Sequence, residues 1–294
     1  MSAPALVVER VGAQALLQDL GRPGHAHLGV SPSGAADRTS LRAANRLVGN
    51  AEGWPAVEVL AGRLHLRALR DVTVAVSGAP VPLHVEGRAV DFAAAAFLPA
   101  GSRLQLGAPV TGLRSYLAVR GGFVAETLFG SASTDTLSGL GPAPLATGTV
   151  LHVGPEPASP VRSTDIAAIH SIPPGGLVVR ALPGPRDEWF GPAGAATLSG
   201  HPWTVSGDSD RVGIRLEGPT IARVRDTELP SEGVVRGAVQ VPPSGQPVVF
   251  LADHPTTGGY PVIAVVLEQD CDRLAQLQPG ERVRVRLLRP PSLG

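Results

Sequence analysis

Apolar residues in this chain fall mostly in short alternating runs, separated by Gly, Pro, Asn and Asp. Runs that read as strands lie at 5–10, 63–66, 72–77, 103–106, 114–119 and 149–153. A second group lies at 176–181, 204–206, 239–241, 247–251, 262–266 and 282–287. The last run alternates most plainly: Val283, Val285 and Leu287 interleave with Arg282, Arg284 and Arg286, which gives one apolar face and one charged face. Turn residues interrupt at the spacing of barrels or sandwiches. Helical periodicity is sparse. It is clearest over 37–47, where Leu41, Ala44, Asn45 and Val48 share a face and Gly49 supplies a stop; 187–190 and 270–277 read as short helices. Residues 154–174 are rich in Pro, Ser and Thr and lack a period, which predicts a boundary between an N-terminal domain, 1–160, and a C-terminal domain, 161–294.

Composition narrows the function classes. The 25 basic and 25 acidic residues cancel to a net charge of +0 with no like-charged block, which argues against a nucleic-acid or anionic-membrane footprint. Only 4% of residues are aromatic against 43% hydrophobic overall, so aliphatic side chains and Ala must fill the core. No leader pattern or long apolar run is visible, which predicts a cytoplasmic protein. The lone Cys271 excludes an internal disulfide and reads as a small buried hydrophobe. Every basic residue is Arg. Without Lys the chain cannot carry lysine-linked biotin, form a Schiff base or supply a P-loop lysine, so such chemistry must come from another polypeptide.

Three polar segments carry candidate chemistry. Residues 17–50 pack Gln18, Asp19, Arg22, His25, His27, Ser31, Ser33, Asp37 and Arg38 among Gly and Pro before the predicted helix. Asp37 could cap that helix while its N–H groups face an anion; equally, the segment could be a long turn satisfying its own backbone. Residues 207–219 place Arg211 after two acids, which reads as a solvated ion pair or as an Arg fork for a carboxylate or phosphate. Residues 229–261 hold Glu232 and the run Asp253, His254, Pro255, Thr256, Thr257, Gly258, Gly259, Tyr260. Two hydroxyls followed by two glycines suit an oxyanion cradle, in which a Cβ at Gly258 or Gly259 would block the ligand or forbid the backbone; a Gly-rich hairpin is the plainer alternative. The His25/His27 spacing does not place a metal ligand set, and no G-x-S-x-G elbow is present.

The strings LQDLGRPGHAHLGVSPSGAADR, LRAANRLVGN, LPGPRDEWF, SDRVGIRLEGP and SEGVVRGAVQVPPSGQPVVFLADHPTTGGYP occur in the order seen in the allophanate-hydrolase subunit 2 family, relatives of biotin-dependent carboxyltransferases. The chain resembles that family, which contains the C-type subunits of 5-oxoprolinases, KipA-type proteins and half of the carboxyltransferase domain of urea carboxylase. Ala36 and His254 depart from its usual residues. The resemblance implies a mainly β protein of two cyclophilin-like β-barrel domains. It also implies partnership with the B-type (KipI-like) and A-type subunits of 5-oxoprolinase, a site at or near a shared interface, ATP with magnesium held together with those partners, and no attached biotin. In that frame Asp19, Glu232 and Asp253 are candidate catalytic carboxylates. Arg22, Asp37, Arg211, Thr256, Thr257, Gly258, Gly259 and Tyr260 are candidate substrate-binding residues. The activity implied first is ATP-dependent opening of 5-oxoproline. Carboxyl transfer from carboxybiotin, and non-catalytic binding of a kinase inhibitor, are the alternatives.

Overall fold

A computed structural model describes residues 2–161, 175–225 and 227–288. The predicted boundary at 154–174 lies largely outside these residues. The chain forms two compact units, one of residues 1–23 and 33–171, the other of 24–32 and 172–294, so a short piece of the first polar segment groups with the second unit.

The first unit is built on two antiparallel sheets. One runs Phe123–Val124, Val150–Val153, Ala3–Arg10, His65–Ala68, Arg103–Leu106, Leu83–Val85, Arg88–Val90; the other runs Gln14–Gln18, Ala56–Leu60, Arg114–Val119, Val72–Gly78, Ala95–Leu98. They share one core, to which Leu6, Val8, Leu66 and Leu104 contribute from the larger sheet and Leu17, Val57, Val59, Val74 and Leu117 from the smaller. The helix Arg38–Leu47 covers the opposite face of the five-stranded sheet, where Leu41, Ala44 and Leu47 meet Ala56, Ala75, Tyr116 and Ala118. Small residues on that face admit the helix closely. Burial on both faces explains why Ala56–Leu60 and Gln14–Gln18 escape an alternation search, since a doubly covered strand has no polar face to alternate with. Asp37 caps the helix as predicted: its carboxylate accepts from the Ser40 N–H at 2.9 Å and from the Ser40 hydroxyl at 2.6 Å.

In the second unit, seven strands close a barrel in the order Leu177–Pro183, Val262–Val266, Ala238–Gln240, Val248–Phe250, Gly213–Glu217, Trp203–Val205, Arg282–Leu287. The alternation at 282–287 sends Val283 and Val285 inward and its arginines outward, in parallel register with Leu177 and Val179. The short helix predicted at 187–190 is a 3-10 turn, Asp187–Trp189, followed by an α-helix, Gly191–Gly200, that propensity would not find in GPAGAATLSG. Packing decides it. Pro192 sits in the first turn, Leu198 is fully buried, and an added Cβ at Gly194 would fall 2.3 Å from Phe190 Cβ. The predicted helix at 270–277 is Glu268–Leu274, and Cys271 is fully buried within it, its thiol pushed up to about 11 chiefly by that burial. Among the described residues no helix is long and apolar enough to cross a membrane.

Candidate functional site

The candidate residues divide between the two units: Asp19, Arg22 and Asp37 belong to the first, and Arg211, Glu232, Asp253 and Thr256–Tyr260 to the second.

In the first unit, Asp19 is the centre of a closed network. One carboxylate oxygen accepts from the Gly21 N–H at 2.7 Å and from the Ser131 and Ser133 hydroxyls at 2.6 Å each; the other accepts from the Ala132 N–H at 2.7 Å. These four donors use up the carboxylate's acceptor sites and tie it into the turn. The fold back to residue 35 depends on Gly34, whose φ is +93° and whose Cβ would fall 2.8 Å from Gly21 N. The Arg22 guanidinium is 1% exposed and donates to the Ser133 carbonyl through Nη2. Beside it Gln18 donates to the Thr134 carbonyl at 2.7 Å.

Asp37 stands in a second buried network. Its N–H donates to the Tyr116 hydroxyl at 2.7 Å, and that hydroxyl donates to Glu58 at 2.8 Å, where the Ala36 N–H also arrives at 2.9 Å. Arg114 lies 3.5 Å from the other Glu58 oxygen. Burial, then the negative charges of Glu58 and Asp37, push the Tyr116 phenol well above its ordinary range, which keeps it protonated as a donor. Sequence reasoning missed Glu58 and Tyr116. The available signal was a single acid inside the apolar run AVEVL.

The second unit holds an Arg fork. Arg211 and Asp253 are 2% and 0% exposed and form two parallel contacts, Nε to Oδ2 at 2.8 Å and Nη2 to Oδ1 at 3.0 Å. The solvated ion pair expected of Arg211 with its neighbouring acids is therefore replaced by a buried pair with a residue 42 positions away. Asp210 instead accepts from the Val212 and Gly213 N–H groups at 2.8 and 3.1 Å. His254, buried beside Phe250, has Nδ1 2.7 Å from the Pro255 carbonyl.

Glu232–Gly233 and Thr257–Gly258 form a two-stranded ladder that pairs Glu232 with Gly258 and brings the two predicted turns together. Glu232 is half-buried, and Arg186 grips its carboxylate through Nε, at 3.0 and 3.1 Å, and through Nη2. That grip holds Glu232 below the usual carboxylate range, so it stays ionised at neutral pH. Gln240, inside the barrel strand Ala238–Gln240, donates to the Tyr260 carbonyl at 2.8 Å, and the Arg223 guanidinium lies 5.7 Å from the Tyr260 ring centroid. Arg186, Gln240 and Arg223 were not singled out from sequence, although the polar Gln240 interrupts the apolar run AVQV. The backbone part of the expectation for Gly258 and Gly259 is not met. Neither has a positive φ; a Cβ on Gly258 would lie 2.5 Å from Gln240 Nε2, whereas at Gly259 the nearest atom is 4.0 Å away.

Similarity to known proteins extends over nearly the whole chain. The family model described as carboxyltransferase domain, subdomain A and B, matches residues 28–287. The chain is 38% identical over 281 residues to the C subunit of 5-oxoprolinase from Escherichia coli (strain K12), covering 95% of this chain and 89% of that one. Among solved structures it is similar to TTHA0988, with a TM-score of 0.86 and 38% identity, covering 96% of this chain but only 55% of that one. It is also similar to the K. lactis urea amidolyase, with a TM-score of 0.89 and 28% identity over 98% of this chain and 19% of that one. The buried turns around Asp19 and Asp253 thus sit in a fold shared along its length with these relatives, and the chain belongs to the carboxyltransferase-domain family of subdomains A and B.

Proposed function

We propose that this chain is the C-type subunit of an ATP-dependent 5-oxoprolinase and acts only in assembly with partners of the A and B (KipI-like) types. The observation that carries the reading is the 38% identity to the C subunit of a 5-oxoprolinase across nearly the full length of both chains. The lactam of 5-oxoproline is an unstrained, resonance-stabilised amide. Coupling its opening to ATP converts a poor electrophile into an activated one, and a site for that step needs fixed charges and fixed dipoles around a small anion. Glu232, ionised and open to solvent beside Arg186, and the Thr256–Tyr260 turn laid against it supply such groups in the second unit. Asp253 contributes by locking Arg211, and so the start of that turn, in place.

In this reading ATP and magnesium are held together with the partner subunits; Asp19, Asp253 and Glu232 are already committed to protein donors. The chain also has no lysine for a phosphate loop. The test is co-expression with the candidate partners and measurement of oxoproline-dependent ATP hydrolysis. The assembled complex is expected to turn over and the isolated chain to be silent; turnover by the isolated chain, or none by a folded complex, overturns the proposal.

The similarity to the K. lactis urea amidolyase supports a second reading, carboxyl transfer to a urea-like amide from carboxybiotin borne on another protein. It predicts biotin-dependent carboxylation, and no oxoproline-stimulated ATP hydrolysis, in the same assay.

A further inference from the structure

Arg22 presents an electrostatic anomaly. Its side chain is 1% exposed, yet Nε and Nη1 have no hydrogen-bond partner and no acidic side chain lies within ion-pair distance among the described residues. The nearest acid in sequence, Asp19, is saturated by two hydroxyls and two backbone N–H groups. Gln18 shows the complementary defect. Fully buried, it donates through Nε2 to the Thr134 carbonyl while its Oε1 has no donor. Arg22 and Gln18 are thus hung on the adjacent carbonyls of Ser133 and Thr134, one with spare N–H groups and a full charge, the other with a spare acceptor. An uncompensated buried charge is among the costliest features a fold can keep, and an apolar residue of similar volume would be more stable.

The chain that continues from Ser133 and Thr134 runs at the surface. Residues 136–139 are exposed and fold on themselves: the Asp135 N–H donates to the Leu140 carbonyl at 2.8 Å, and the Asp135 carboxylate accepts from the Leu137 N–H at 2.9 Å and the Ser138 hydroxyl at 2.6 Å. Thr134 Oγ1 ties the stretch back by donating to the Pro142 carbonyl at 2.8 Å. Outside it lies a cavity of about 180 Å³ lined by Glu126, Thr127, Leu128, Gly141 and Pro142. Gly141, in the lining of that cavity, has φ +90°; a Cβ there would run into the Ser133 carbonyl that Arg22 holds and would stand 3.1 Å from Arg22 Nη2, so the glycine lets this stretch pack against the carbonyl and the guanidinium together.

We infer that Arg22 and Gln18 form a recognition pair for a small carboxylate that carries an N–H group: Arg22 takes the carboxylate, Gln18 Oε1 takes the N–H, and the 136–142 stretch lifts to admit the ligand. The site deepens the oxoprolinase reading and rests on it for the identity of the acid, since 5-oxoproline has both groups. The charge is compensated only when ligand is bound.

The experiment compares the wild-type chain with Arg22→Met and Gln18→Leu, alone and in the assembled complex, by thermal melting and calorimetric titration. The probes are 5-oxoproline, 2-pyrrolidinone, which lacks the carboxylate, and cyclopentanecarboxylate, which lacks the N–H. The ligand-free Arg22→Met chain is expected to melt at or above the wild-type temperature, because a stranded charge has been removed. It should bind 5-oxoproline at least about tenfold more weakly, with 2-pyrrolidinone unaffected. Gln18→Leu should lose the preference for 5-oxoproline over cyclopentanecarboxylate. An Arg22→Met chain that melts well below wild type would assign Arg22 to structure, and unchanged 5-oxoproline affinity, or no wild-type binding of any probe in either form, would also overturn the inference. A complex that turns over oxoproline with a KM indifferent to Arg22 rejects this site alone. Arg22-dependent carboxylate binding in a complex without oxoproline-dependent ATP hydrolysis rejects the functional reading alone.

Discussion

Replacing Asp253 by Asn removes one charge from the most enclosed ion pair in the second unit and changes almost no volume. From sequence alone the amide looks harmless, because residue 253 opens a polar turn. The structure reverses that expectation. Arg211 and Asp253 are 2% and 0% exposed, and the two contacts at 2.8 and 3.0 Å would leave a buried guanidinium facing a neutral group. Removing one partner of such a pair costs about 3–5 kcal/mol, a large share of the roughly 5–15 kcal/mol that holds a domain together. With a urea dependence of about 1–3 kcal/mol per molar, the unfolding midpoint should fall by roughly 2 M. Tryptophan fluorescence reports on this unit, since the buried Trp189 and Trp203 lie within it and only Trp54 lies in the other. The double variant Arg211→Met, Asp253→Leu is the control: with neither charge left to strand, it should recover most of the loss. A midpoint shift below roughly 0.5 M for Asp253→Asn would refute the reasoning, and the fork would then be worth no more than a surface pair.

Four further expectations follow from the structure. Glu232→Gln should move the melting temperature by no more than about 3 °C, because the pair with Arg186 is open to solvent, while cutting oxoproline-dependent ATP turnover of the complex at least about tenfold. Arg186 depresses the Glu232 carboxyl, so the wild-type advantage in melting should be full above about pH 4.3 and vanish as pH falls through the lower folded value; an advantage that persists in acid contradicts this. Gly258→Ala should displace Gln240 and forfeit its bond to Tyr260, at a cost of about 1 kcal/mol, whereas Gly259→Ala, with open space around it, should hold or gain stability; equal melting temperatures would dismiss the distinction. Cys271, fully buried with its thiol raised to about 11, should react with Ellman's reagent at pH 8 at least about a hundredfold more slowly than in guanidinium, and complete labelling of the native chain within minutes would show otherwise.

Local chemistry alone settled a good part of this molecule. A period of two in RVRVRL specifies which side of a strand faces the core wherever one side meets water, and the barrel keeps that assignment for Val283 and Val285. Asp before a periodic run reads as a cap because a side-chain oxygen reaches an N–H only a few residues away, and Asp37 does this. Tertiary structure decided the rest. Strands buried on both faces carry no alternation, so Ala56–Leu60 and Gln14–Gln18 emerge only once the helix and the second sheet cover them. The Gly191–Gly200 helix exists because Phe190 and the barrel receive it, against its own propensities. The site divided in the same way. Sequence identified residue types in polar turns, since Gly, Thr, Asp and Arg signal turns locally. It could not distinguish Asp19, consumed by four donors, from Glu232, left ionised and accessible, or find that Arg211 reaches past its neighbours to a carboxylate 42 residues on. Those outcomes depend on burial and distance between segments remote in sequence, and such quantities exist only after the chain has closed on itself.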